Sequence, residues 1–77
     1  MQYDNNTVGS VIRAAREEKK LSQEMLSGFA GIARSHLSMI ESGRKMARLD
    51  TIWKIAVALE MRPSELLARM EEESEQT

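Results

Sequence analysis

The chain has 77 residues, 42% of them hydrophobic and 30% charged, with one histidine and no cysteine. That length supports one domain around one small core, and without cysteine there are no disulfides and no thiolate metal sites. The formal net charge is −1, which excludes a uniformly basic nucleic-acid binder and leaves the local distribution of charge to be considered.

Residues 1–7, MQYDNNT, read as an N-terminal arm. They carry no basic, apolar signal-like run, and no apolar stretch approaches the roughly 20 residues that span a bilayer. A cytoplasmic protein without membrane contact is therefore expected. Val8, Ile12 and Ala15 stand at i, i+4 and i+7, which predicts a first helix over about 8–20, capped by Asn6 or Thr7. A second helix is predicted over 23–30, with Ser22 as its cap and Glu24 in the first turn, where the helix dipole favours an acid. Gly31 follows it, and a third helix is predicted over 33–42, closed by Gly43. A fourth covers about 49–59. The fifth begins at Pro63, a good first-turn residue, followed by Ser64 and Glu65. It is expected to fade through Glu71, Glu72, Glu73, Ser74 and Glu75, whose charges oppose the dipole at a helix C-terminus. The expected organisation is an arm (1–7), a compact all-α, five-helix domain (8–70) and an acidic tail (71–77).

The most informative stretch is LSQEMLSGFAGIARSHLSMIESG, residues 21–43. Leu26, Ala30, Ile32, Leu37 and Ile40 are spaced so that two short helices can close on each other across a tight turn. Gly31 stands where that turn needs a positive φ. This is the outline of a helix-turn-helix at helices two and three, whose second helix can enter the DNA major groove. Charge is segregated around it. Residues 32–48 set Arg34, Arg44, Lys45 and Arg48 against Glu41 alone, a net +3. Residues 49–77 set three cations against seven acids, a net −4.

These residues resemble the lambda repressor/Cro-like (Xre-type) helix-turn-helix family over about 8–67. Gln23 matches the glutamine that opens helix two, Gly31 the turn glycine, and Glu41-Ser42-Gly43 the family's Glu-x-Gly ending. The five apolar positions above, with Ile52, Ile55, Ala56, Leu59 and Leu66, match the buried positions. The resemblance implies a structural ion pair between Arg16 and Glu41, bridging the first helix to the end of the third. Four departures lower the expected stability. Ser27 replaces an alanine where helices two and three touch. Ala33 stands where a Ser or Thr usually caps helix three. Glu60 replaces a glycine after helix four and is forced toward a left-handed conformation, and Ala47 replaces a common proline. Gly28 and Phe29 are unusual on the outer face of helix two.

Arg34, Ser35, Ser38 and Met39 fall on the face of helix three away from Leu37 and Ile40, and are the expected base contacts. Arginine can bind guanine O6 and N7 with two hydrogen bonds, serine contacts bases or phosphates, and methionine can touch a thymine methyl. Gln23, at the start of helix two, and Arg44, Lys45 and Arg48, in the loop after helix three, are expected phosphate contacts. So is His36, which has no partners at ligand spacing and so builds no metal site; simple exposure is its other reading. Trp53 and Val57 lie one turn apart on helix four, off the core stripe. With Leu67 and Met70 they are the expected dimer interface, unless Trp53 completes the monomer core.

The resemblance implies a homodimer that binds double-stranded DNA at a two-fold-related operator and regulates transcription, as restriction–modification controller proteins do. A phage or plasmid repressor, or the antitoxin of a toxin–antitoxin pair, is the alternative. A protein-interaction module that has lost DNA binding is a further one. No catalytic constellation, cofactor, metal or small-molecule ligand is expected.

Overall fold

The computed structural model describes residues 3–76, with the backbone alone at Gln76. The ends of the expected arm and tail, residues 1–2 and 77, lie outside the described residues. Five helices follow in order: α1 (Asn5–Glu18), α2 (Gln23–Ala30), α3 (Arg34–Glu41), α4 (Leu49–Ala58) and α5 (Pro63–Gln76). They pack into a body of 31 × 24 × 22 Å, with α1 against α3 and α5, α2 against α3 and α4, and α4 against α5.

One apolar core runs through all five. Val8, Ile12 and Ala15 line the inner face of α1, Leu26 and Ala30 that of α2, and Leu37 and Ile40 that of α3. Ile52, Ile55, Ala56 and Leu59 close it from α4, Leu66 and Met70 from α5. Each set repeats at three or four residues, the period of one helix face. Ile32, expected among the buried positions, is half-buried and packs on the edge of this core. Gly9 permits the closest approach. A Cβ there would overlap the carbonyl oxygen of Ile40 and stand 2.8 Å from that of Glu41, so only glycine lets α1 seat against the last turn of α3.

The starts of α1 and α5 depend on side-chain caps. Asp4, not Asn6 or Thr7, caps α1. Its carboxylate accepts the Thr7 backbone N–H at 3.0 Å and the Thr7 hydroxyl at 2.9 Å. The helix therefore begins three residues earlier than the apolar stripe indicates, because the cap and not the stripe sets the first turn. The two Thr7 hydrogen bonds also hold the Asp4 carboxyl below its ordinary pKa. In α5, Glu65 reaches back to accept the Arg62 backbone N–H at 2.9 Å, half of a capping box. Contrary to expectation, α5 continues through the acidic run to Gln76. Leu, Ala, Arg, Met and Glu are strong helix formers, and their summed propensity outweighs an unfavourable dipole interaction confined to the last turn.

Four helix ends share one geometry. After α1, α2, α3 and α4 a residue turns left-handed: Lys20 (φ 58°), Gly31 (71°), Gly43 (80°) and Glu60 (59°). In each, that residue's N–H and the next one close paired bonds onto the last turn, as in Gly31 to Gly28 O and Ile32 to Ser27 O. These are Schellman closures. Two use glycine. Lys20 and Glu60 reach the same conformation against the Cβ penalty of about 1–2 kcal/mol. The Glu60 strain follows from the missing glycine; that at Lys20 has no counterpart among the sequence expectations.

Candidate nucleic-acid interface

The turn between α2 and α3 sets the geometry of the site. Gly31 reverses the chain, and Leu26, Ala30, Leu37 and Ile40 lock the two helices together from inside. Ser27 is buried where they meet, and its hydroxyl donates to Glu24 O within α2 at 3.1 Å, so the polar atom it introduces is satisfied. Ala33 supplies no side-chain cap to α3. With Leu37 and Ile40 facing inward, Arg34, Ser35, Ser38 and Met39 are left on the exposed side, and His36 is half-buried at its edge.

The basic loop grows directly out of α3. Gly43 N–H bonds Ile40 O at 3.1 Å, and the N–H groups of Arg44 and Lys45 bond Met39 O at 2.9 and 3.2 Å. The backbone of both cations is thus tied to the same helix that carries Arg34. Among the described residues no acid pairs with Arg34, Arg44 or Lys45, and Arg48 meets Asp50 only at 3.9 Å across an exposed gap. The side chains of Arg44, Lys45 and Arg48 are exposed.

The frame beneath this surface is a charged network. Arg16 Nε and Nη2 donate to the two Glu41 carboxylate oxygens at 2.8 and 2.9 Å, and Nη1 donates to Leu21 O at 2.8 Å. Gln23 Nε2 donates to Glu41 Oε1 at 3.0 Å. The Arg16 and Glu41 side chains are 11% and 3% exposed. The hydrogen bonds that it donates to Glu41 hold the Arg16 guanidinium above its ordinary pKa despite the opposing effect of burial. One carboxylate therefore joins α1, the start of α2 and the end of α3, and Arg16 extends the network to the α1–α2 loop. The Gln23 side chain spends at least one amide hydrogen on this frame, which no local pattern in the sequence indicates. Its remaining hydrogen and the adjoining backbone N–H groups are what it offers to an anion.

The loop is also held from the N-terminal side. Tyr3 Oη donates to Ala47 O at 2.6 Å, and burial raises the phenol pKa. Ala47 is buried. The Asn6 side chain fills the space beside Gly43, so that a Cβ at Gly43 would overlap Asn6 Oδ1. No motif marks Tyr3 or Asn6 in the sequence, because both contacts join residues far apart along the chain.

The chain matches the helix-turn-helix family model HTH_3 over residues 12–66. It belongs to the HTH_3 helix-turn-helix family. It is 38% identical over 61 residues to the uncharacterized HTH-type transcriptional regulator y4dL of Sinorhizobium fredii, covering 79% of this chain and 31% of that protein. It is 39% identical over 61 residues to the immunity repressor protein of Bacillus phage phi105, covering 79% of this chain and 42% of the repressor. Among solved structures it is similar to the restriction-modification controller protein C.AhdI from Aeromonas hydrophila. That likeness has a TM-score of 0.76 and 38% identity, and covers 79% of this chain and 92% of that one. The chain thus spans less than half the length of those two curated relatives.

Outside the core, α4 presents Leu49, Trp53 and Val57, which are 61%, 56% and 59% exposed. They are spaced at i, i+4 and i+8 and form one apolar row. Trp53 does not complete the monomer core. Leu49 joins the row unexpectedly, although its place one turn before Trp53 is visible in the sequence. Leu67 on α5 is exposed as well. Met70 is a correction: it is 5% exposed and belongs to the core, because it stands at i+4 from Leu66 and shares its inner face. Phe29 and Met25 lie exposed on α2, and nothing in the structure explains them. No described helix is long and apolar enough to cross a membrane.

Proposed function

We propose that the chain is a sequence-specific DNA-binding transcriptional regulator that acts as a homodimer on a two-fold-related operator. The observation that carries this reading is the continuity of α3 with its basic loop. Arg34, Ser35, Ser38 and Met39 occupy an uncommitted helix face of the size that enters a major groove. Arg44 and Lys45 follow on the same rigid unit without acidic partners, suited to the flanking phosphates. Family membership supports the same assignment. A low net charge does not oppose it, since five of the twelve acids lie in α5 while residues 32–48 carry a local net +3.

The row Leu49–Trp53–Val57, with Leu67, is the proposed dimer contact. Exposed aromatic and aliphatic side chains in one row are the kind of anchor that interfaces bury. Dimerisation would set two copies of α3 about 34 Å apart, one turn of DNA. Trp53→Ala and Val57→Glu are expected to shift the protein to monomer and weaken operator binding while leaving helicity intact. Sedimentation velocity and circular dichroism check this, and an unchanged dimer in both variants would move the interface elsewhere.

The finer reading is a restriction–modification controller, because the 38% likeness to C.AhdI extends over 92% of that protein. The 39% identity to the phage immunity repressor favours a repressor as the second reading. In vitro selection from random duplexes, followed by a salt titration of the selected site, tests the shared core of both. A DNA binder enriches a two-fold-related site and loses affinity steeply with salt, at a slope of about −0.9 per phosphate contact. No enrichment and a flat salt response would leave a protein-interaction module.

A further inference from the structure

We propose that Tyr3 is a positioning residue for DNA binding: its hydroxyl, through Ala47, holds the Arg44–Arg48 loop at the height from which its cations reach the phosphate backbone. The inference rests on the DNA-binding reading above and adds to it a residue far from the helix-turn-helix.

The loop is anchored at one end by the Gly43 closure onto the last turn of α3 and at the other by the start of α4 at Leu49. Between these points Ala47 is its inward-facing residue, and the neighbours that carry charge are exposed. Arg48 caps α4 through no side-chain bond, so the second half of the loop lacks the tie that a polar cap would provide. The 2.6 Å bond from Tyr3 Oη to Ala47 O takes that place. Tyr3 itself borders a largely apolar groove of about 410 Å³ between the start of α1 and α5, shared with Val8, Leu67 and Met70. The Asp4 cap fixes the backbone immediately after it. Asn6 packs against Gly43, immediately before the loop, so the segment 3–6 reaches the chain near both ends of it. An ordered loop loses less conformational entropy on binding than a free one, which is how a remote bond raises affinity without touching the ligand.

Tyr3→Phe removes the donor and keeps the ring. Because Tyr3 is partly exposed, the variant is expected to melt close to the wild type. Its affinity for duplex DNA is expected to fall about 2- to 10-fold per protomer, the range of one net hydrogen bond, for operator and random duplex alike. The salt slope is expected to flatten, and Tyr3→Phe added to Arg44→Ala is expected to cost less than on its own, since Tyr3 acts through the loop. Fluorescence anisotropy on a selected duplex and a random duplex, across salt, measures all three. A steep wild-type slope with Tyr3→Phe unchanged in affinity and slope would overturn the positioning role and leave DNA binding standing. A wild type without salt dependence would overturn the DNA-binding reading and this inference with it.

Discussion

Glu41→Ala and Arg16→Ala are each expected to destabilise the fold by about 3–5 kcal/mol, the cost of leaving one partner of a buried ion pair uncompensated. A domain of this size has about 5–15 kcal/mol to lose, and toward the lower end of that range either variant would be partly unfolded at 25 °C. The reasons for the two losses differ. Without Arg16, a carboxylate only 3% exposed keeps just the Gln23 amide. Without Glu41, the guanidinium keeps Leu21 O and Gln23 loses its acceptor. The double variant is expected to lose less than the sum, because removing both charges leaves neither stranded. Glu41→Gln should fall between, retaining an acceptor without the charge. Chemical denaturation of the wild type and these variants decides the matter, and strictly additive losses would mean that the pair does not couple α1 to α3.

Gly9→Ala carries the second large effect. The new methyl would meet the backbone carbonyls of Ile40 and Glu41, and backbone in the last turn of a packed helix yields little. Overpacking of that kind costs about 3 kcal/mol, against roughly 1 kcal/mol gained in helix propensity. The net loss should appear as a lower denaturation midpoint. Since α3 must shift to relieve the clash, the Arg16–Glu41 pair should weaken with it. Gly28→Ala is the internal control. Nothing lies within 4 Å of the added Cβ, so the same substitution there should stabilise by up to about 1 kcal/mol. If both variants are stabilised, α1 and α3 do not approach as closely as the structure has them.

The contrast between these glycines explains what can be read from the sequence and what cannot. Gly31 and Gly43 are recognisable because a helix end followed by glycine is a local pattern with a local cause. The core stripes of Ile12, Leu26, Leu37 and Ile55 are recognisable for a similar reason: periodicity needs no knowledge of the partner. Gly9 and Gly28 look alike in sequence, each a glycine within a helix, and only tertiary contact separates them. Met70 is the opposite case. Its place four residues after Leu66 marks it as inward-facing, and that local signal outranks any grouping with the exposed Leu67. Asp4 escapes the apolar stripe altogether, because the cap stands a full turn ahead of the first apolar residue. The candidate site divides in the same way. The outward face of α3 and the loop cations follow from local spacing, whereas the Gln23–Glu41 bond and the Tyr3–Ala47 bond join residues 18 and 44 positions apart, beyond the reach of any local pattern.

The proposed function rests on a division of labour, with α3 reading bases and the loop after it neutralising phosphates. Equilibrium binding of Arg34→Ala and Arg44→Ala, measured on a set of single-base variants of the selected operator at several salt concentrations, tests it most directly. Arg34→Ala should lose about 1–3 kcal/mol and become indifferent at one base position in each half-site, with its salt slope nearly retained. Arg44→Ala should weaken every sequence by a similar factor and flatten the slope by about one unit for each phosphate it no longer neutralises, doubled in a dimer. If instead Arg34→Ala weakens all sequences equally and Arg44→Ala relaxes a single position, the groove and backbone roles are reversed and the proposed division is wrong.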